Sequence, residues 1–179
     1  MSLVGSRAPS FTMPAVDSQG AEQMVSLADY AGRWLILFFY PHDFTFVCPT
    51  EITALSAAAP QFAQMDADLL GVSTDSPHVH RAWLHADPRA GGLGPVRYPL
   101  ASDWTHRVAR AYGVYLSDEG AAYRGLFIID PDGVVQYEVV HNLNVGRSVA
   151  EVKRVLQALQ SGGMCPVDWT PGQALMTPG

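Results

Sequence analysis

Trp34-Leu35-Ile36-Leu37-Phe38-Phe39-Tyr40-Pro41-His42-Asp43-Phe44-Thr45-Phe46-Val47-Cys48-Pro49-Thr50-Glu51 is the stretch on which the fold turns. Its first seven residues are apolar without a break, as in a strand buried on both faces. Beyond Pro49 the period changes. Ile52, Leu55, Ala59 and Phe62 recur at spacings of three and four, which puts them on one stripe of a helix. The chain therefore passes from a buried strand into a helix, with Cys48 at the turn between them.

Working outward, Leu69 to Ser73 has the pattern of a second, shorter strand, and Gly125 to Ile129 of a third. Asp130-Pro131-Asp132-Gly133 is a turn, and Val134 to Val140 returns from it as a strand. Strict alternation there puts Val135, Tyr137 and Val139 on one face, with Gln136 and Glu138 on the other. Ser76-Pro77 opens a helix as N-cap and first-turn proline, and Asp87-Pro88 ends it. Ser148-Val149-Ala150-Glu151 is a capping box for a last helix whose Val152, Val155, Leu156 and Leu159 point inward. Strands alternating with helices define an α/β layer fold, compatible with a thioredoxin-like sheet.

At 179 residues, with 48% hydrophobic and 16% charged side chains, the chain suits one folded domain and excludes disorder. A formal net charge of -6, with Lys153 the only lysine and no basic run, excludes a nucleic-acid footprint. The longest apolar run is far below the roughly 18 residues that cross a bilayer. Met1 to Ser10 has neither a basic n-region nor an apolar h-region, so a soluble, cytoplasmic protein is expected. Two cysteines are too few for a secreted disulfide scaffold; in a reducing compartment they are catalytic, metal-binding or inert. His78, His80 and His85 share a helix, but no two are four apart, so no metal site is expected. Gly91-Gly92-Leu93-Gly94 is followed by no Lys-Ser/Thr and is not a phosphate loop, and no cofactor is expected. Trp34, Trp83 and Trp104 are expected in the core or at an interface.

With Pro49 at the first helical position, Cys48 is expected as the N-cap. Unpaired N–H groups and the positive end of the helix dipole favour a thiolate there. For cysteines in general, a fall in pKa from about 8.5 to about 6 raises the ionised fraction at neutral pH roughly thirtyfold. Nucleophilicity falls with basicity, so larger accelerations need donors aimed at the leaving oxygen. The competing interpretation of an isolated cysteine is an inert, buried small hydrophobe.

Pro41, Thr45 and Cys48 match the Pro-x-x-x-Thr-x-x-Cys motif of peroxiredoxins, and Phe44 to Glu51 resembles the typical two-cysteine branch of that family. The likeness continues through Gly91 to Gly94, Arg124 to Asp130 and Val145 to Ser148, and ends at Cys165-Pro166-Val167-Asp168-Trp169, covering almost the whole chain in order. It implies a thioredoxin-like fold, a central mixed sheet flanked by helices with family extensions. It also implies one domain over residues 1–179, in which 161–179 is a C-terminal segment carrying the resolving cysteine. The implied activity is reduction of hydrogen peroxide and organic hydroperoxides. Cys48 would be the nucleophile that becomes a sulfenic acid. The Thr45 hydroxyl would hold the peroxide, though as a residue type it is equally a β-branched spacer. Pro41 would shield the pocket, though it is equally a strand breaker. Arg124, at the head of an apolar strand, would stabilise the thiolate; its alternative is a solvated strand-end charge. Arg147 just before a helix opposes the dipole unless it swings away or joins a network in which Glu51 orients both arginines. Helix capping would also account for Glu51.

Cys165 follows the last helix after Ser161-Gly162-Gly163-Met164, a flexible approach for a thiol that must travel. Spacing leaves an intrachain and an intersubunit disulfide equally open. The resemblance implies the latter, in a homodimer or a decamer of dimers, recycled by thioredoxin or a flavoprotein disulfide reductase. The chain after Trp169 lacks the Tyr-Phe segment that, in the family, favours overoxidation, so resistance to overoxidation is expected.

Overall fold

In the computed structural model, which describes residues 2–177, the apolar run at Trp34 is an interior strand of a seven-stranded mixed sheet. The elements run β1 (Thr12–Val16), β2 (Glu22–Ser26), β3 (Trp34–Phe39), α1 (Cys48–Ala63), β4 (Ala67–Ser73), α2 (Pro77–His85) and β5 (Leu100–Ser102). There follow α3 (Arg107–Ala111), the two-residue strands β6 (Tyr115–Leu116) and β7 (Ala121–Ala122), β8 (Arg124–Ile129), β9 (Val135–His141) and α4 (Val149–Gln160). Sheet order is β2-β1-β5-β4-β3-β8-β9. β3 runs parallel to β4 and antiparallel to β8. Residues 1–147 form one compact unit and residues 148–179 another.

Burial on both faces of β3 follows the period of two. Leu35, Leu37 and Phe39 enter one apolar cluster with Phe127, Ile129 and Val135. Ile36 and Phe38, equally buried, point to the opposite face, where Phe38 meets Tyr98 edge-on at 5.6 Å. Each such side chain contributes about 1.5–3 kcal/mol by leaving water, so this strand anchors whatever is attached to its end. What is attached is α1, which lies against β4. Its Ile52, Leu55 and Phe62 are buried, as the stripe predicts.

Three expectations need correction. The α1 N-cap is Val47, not Cys48, which is the first helical residue; Pro49 takes the second position, which tolerates a missing N–H equally well. β9 carries a bulge, because Ile128 pairs with Tyr137 and Ile129 with Val135. The extra residue flips the alternation, so Val135 and Tyr137 face opposite sides of the sheet rather than one. Of the tryptophans expected in the core or at an interface, Trp83 lies in the core and Trp104 is 60% exposed in this chain. At the start of α4 the Ser148 hydroxyl accepts from the Glu151 N–H at 3.2 Å, but the Glu151 carboxylate is engaged with Arg154 at 2.6 Å. The N-terminal hairpin β1–β2 and strand β5 had no counterpart in the pattern. Ser76 caps α2 as expected, accepting from the Val79 N–H.

In the unit of residues 148–179, Val152 and Leu156 of α4 are buried. Arg154 donates to the Trp169 carbonyl at 3.0 Å, and the Trp169 indole donates to the Gln173 carbonyl at 3.1 Å. These bonds fold residues 161–177 back along their own helix. No helix among the described residues is long and apolar enough to cross a membrane.

Candidate active site

Cys48 is held at the head of α1, one eight-residue segment beyond the end of β3, and is fully buried. Its sulfur accepts a hydrogen bond from Arg124 Nη1 at 3.3 Å. Arg124 is the first residue of β8, 3% exposed, and its Nε donates to the Leu143 carbonyl at 2.7 Å. The same Nη1 donates to Glu51 Oε2 at 2.7 Å. The guanidinium is thus fixed at three points before any substrate arrives.

Glu51 lies three residues after Cys48, on the same face of α1 one turn along. Its other oxygen takes both the backbone N–H and the Nε of Arg147, at 2.7 and 2.8 Å. Arg147 Nη1 donates to the carbonyls of Phe39 and Gly125, tying the end of β3 to β8. Of the two accounts of Glu51, the network accommodates the carboxylate that capping would have used. Burial by itself would raise the pKa of Glu51, but the hydrogen bonds and charge of Arg147, with the charge of Arg124, outweigh it and hold the carboxyl below its ordinary range. Two guanidinium groups and one carboxylate leave one positive charge in a site sealed from solvent. A thiolate at Cys48 would balance it.

The Thr45 hydroxyl donates to the His42 carbonyl at 3.0 Å, so in this conformation its hydrogen is committed and its lone pairs remain to accept. Pro41, the second residue after β3, is buried. Cys165 sits in the unit of residues 148–179, partly exposed and unpaired. Its sulfur is 3.4 Å from the Ser161 hydroxyl and 3.7 Å from the Ala158 carbonyl. A cleft of about 550 Å³ borders it, walled by Val155, Leu159, Pro166 and Val167.

Residues 4–138 match the model of the AhpC/TSA family. Over 172 residues, 95% of this chain and 96% of the relative, the chain is 55% identical to a putative peroxiredoxin in a rubredoxin operon of Clostridium pasteurianum. This chain belongs to the peroxiredoxins. It is also 50% identical to a chloroplastic 2-Cys peroxiredoxin of Spinacia oleracea, covering 98% of this chain and 68% of that one. The reduced 2-Cys peroxiredoxin of Plasmodium vivax superposes with a TM-score of 0.97 at 38% identity, covering all of this chain and 95% of that one. The sheet is accordingly the thioredoxin-like sheet of this family, and this peroxiredoxin is a thiol peroxidase, an oxidoreductase.

Of the residues expected to act together, Cys48, Glu51, Arg124 and Arg147 are brought into one buried hydrogen-bonded cluster. Two residues of this peroxiredoxin were given no part in the site from the sequence, His80 having been weighed only as a metal ligand. Asp43, inside the motif segment, is 6% exposed, and it bonds the fully buried His80 of α2. The available signal was a histidine at a position of α2 where the neighbouring Trp83 and Leu84 mark the buried side.

Proposed function

We propose that this chain reduces hydrogen peroxide and small organic hydroperoxides through a sulfenic acid on Cys48. The carrying observation is the Arg124 guanidinium 3.3 Å from the buried sulfur, itself clamped by Glu51 and the Leu143 carbonyl. The thiolate attacks the terminal peroxide oxygen. An S–O bond forms, the O–O bond breaks, and the departing oxygen takes a proton to leave as water or alcohol. Arg124 is placed to donate to the oxygen on which charge develops, and Thr45 to accept from the peroxide O–H. Pro41 keeps water from the pocket.

Cys165 then resolves the product. Its sulfur displaces the sulfenic oxygen as water, giving a Cys48–Cys165 disulfide between subunits of a homodimer, which assembles further into a decamer. Segment 161–179 carries that cysteine as an extension of one thioredoxin-like domain. An external dithiol, thioredoxin or a flavoprotein disulfide reductase, restores both thiols. The cytoplasm suits two thiols that must return to the reduced state.

Stopped-flow mixing with peroxide tests the first step. Wild type should react in one fast phase, Cys48→Ser should not react, and Arg124→Ala should be slower by about 10²–10³, the usual cost of one oxyanion donor. An Arg124→Ala rate equal to wild type would remove the guanidinium from the mechanism.

A further inference from the structure

The segment that delivers Cys48 is tied to residues remote in sequence as well as to its own neighbours. Asp43 reaches away from the sulfur cluster to a separate polar assembly. Its Oδ1 accepts from the Tyr40 hydroxyl at 2.8 Å, and its Oδ2 lies 2.7 Å from His80 Nδ1. His80 Nε2 is 3.1 Å from the Ala101 carbonyl of β5. A carbonyl only accepts, so Nε2 carries a hydrogen, and one further proton lies on the line between Nδ1 and Oδ2. Wherever that proton resides, ring and carboxyl together bear no net charge, which is how both can be buried. Burial pushes the Asp43 carboxyl up, against the pull of the His80 hydrogen bond.

A second tether secures the same residue. The Asp43 backbone N–H donates to Asp75 Oδ2 at 2.9 Å, and Ser73 Oγ donates to that same oxygen at 2.7 Å. Directly beyond Asp43 the backbone is forced. Phe44 has φ of 54°, a left-handed conformation that costs a side chain with a Cβ roughly 1–2 kcal/mol. Phe46, two residues before Cys48, is 96% exposed. The half-exposed Phe44 ring leans on the buried Trp83 with centroids 5.9 Å apart. A strained turn stays closed only if its surroundings over-determine it, and the polar tethers add to that contact.

We propose that Asp43 and His80 form a buried latch that positions residues 41–47. Closed, it sets the pocket in which peroxide meets Cys48; released, it lets the first turn of α1 open so that the sulfur can leave. The proposal rests on the peroxidase reading of Cys48. Neither Asp43 nor His80 is a catalytic residue: both act through the segment they hold.

The substitution Asp43→Asn separates a hydrogen-bonded latch from a role that needs the acidic carboxyl itself. An asparagine amide can donate to Nδ1 while its oxygen accepts from Tyr40, so both bonds survive. Asp43→Ala loses both. Asp75→Ala removes the second tether from the partly exposed side and disturbs the core least. Two quantities are measured well below each variant's melting temperature: the first-step peroxide rate, and the rate at which iodoacetamide alkylates Cys48, followed by mass spectrometry. In Asp43→Ala the peroxide rate should fall about tenfold while alkylation rises several-fold, because the pocket is lost as the sulfur becomes exposed. Asp75→Ala should shift both in the same directions by less, and Asp43→Asn should restore both to within about twofold of wild type. Should Asp43→Ala fail to fold, Asp75→Ala decides. Unchanged values in the folded Ala variants, or an Asp43→Asn as impaired as Asp43→Ala, would overturn the latch. A wild type that consumes no peroxide would defeat the peroxidase reading alone, because alkylation still reports the latch.

Discussion

Glu51 determines what two buried arginines can do for one sulfur. Without its carboxylate, two guanidinium groups, each under 5% exposed, would face each other and the Cys48 sulfur uncompensated. Removing one partner of a buried ion pair costs about 3–5 kcal/mol, so Glu51→Gln should lower the thermal midpoint by many degrees, as read by circular dichroism. The same residue sets a pH dependence with a definite sign. Its folded pKa is depressed below the ordinary glutamate value, so its stabilisation is complete above that value and is lost as pH falls through the lower, folded one. Urea midpoints should therefore decline for wild type between about pH 5 and pH 3, and Glu51→Gln should lack that part of the decline. An equal slope in both proteins would mean that other carboxylates govern acid unfolding. The charge count also bears on turnover. On the proposed cycle, a neutral sulfenic acid would leave the cluster with one unbalanced positive charge, weakening its grip on the sulfur just when Cys48 would have to move.

At the scale of elements, legibility followed how local the cause was. β3 and α1 were legible because their periods of two and of three-to-four are written in consecutive residues, and Ser76 because a cap acts within its own turn. The hairpin β1–β2 was hidden by Pro14, which discourages a strand assignment; it lies where β5 does not pair, since β5 meets only Ala15 and Val16. The β9 bulge was invisible because it is a matter of register between two strands. Cys48 and Arg124 were recognisable through the family motif, whereas the partner of His80 was not, since the spacing that puts His80 on the buried side with Trp83 and Leu84 does not name the distant carboxylate it meets. The Gly91–Gly94 run shows a local signal with a non-local reason. A Cβ on Gly92 would overlap the Ala86 carbonyl oxygen, where the chain doubles back past the end of α2. Backbone must shift to admit it, so Gly92→Ala should destabilise by about 1–3 kcal/mol in denaturant titrations. The companion Gly91, with φ of 86° and no neighbour near its missing Cβ, should suffer instead from backbone strain, by about 1 kcal/mol on substitution by alanine.

For the whole molecule, what matters is that the two thiols belong to different compact units. Every residue bonded to the Cys48 cluster lies within residues 1–147, whereas Cys165 and the bonds that fold its segment back lie within 148–179. Chemistry on peroxide and chemistry on the second thiol should then be separable by substitution. Cys165→Ser should keep the first-step peroxide rate within about twofold of wild type, because no group that touches Cys48 changes. Under continuous turnover with thioredoxin it should stall after one equivalent of peroxide, accumulating oxidised Cys48 that mass spectrometry reads as added oxygen. On a non-reducing gel, peroxide-treated wild type should run as a disulfide-linked dimer and Cys165→Ser as a monomer. A first-step rate that falls with Cys165→Ser would mean that the second unit contributes to the peroxide pocket. Undiminished turnover would make Cys165 a bystander, with the reductant itself resolving Cys48; that outcome leaves the buried arginine cluster intact and moves only the second half of the cycle.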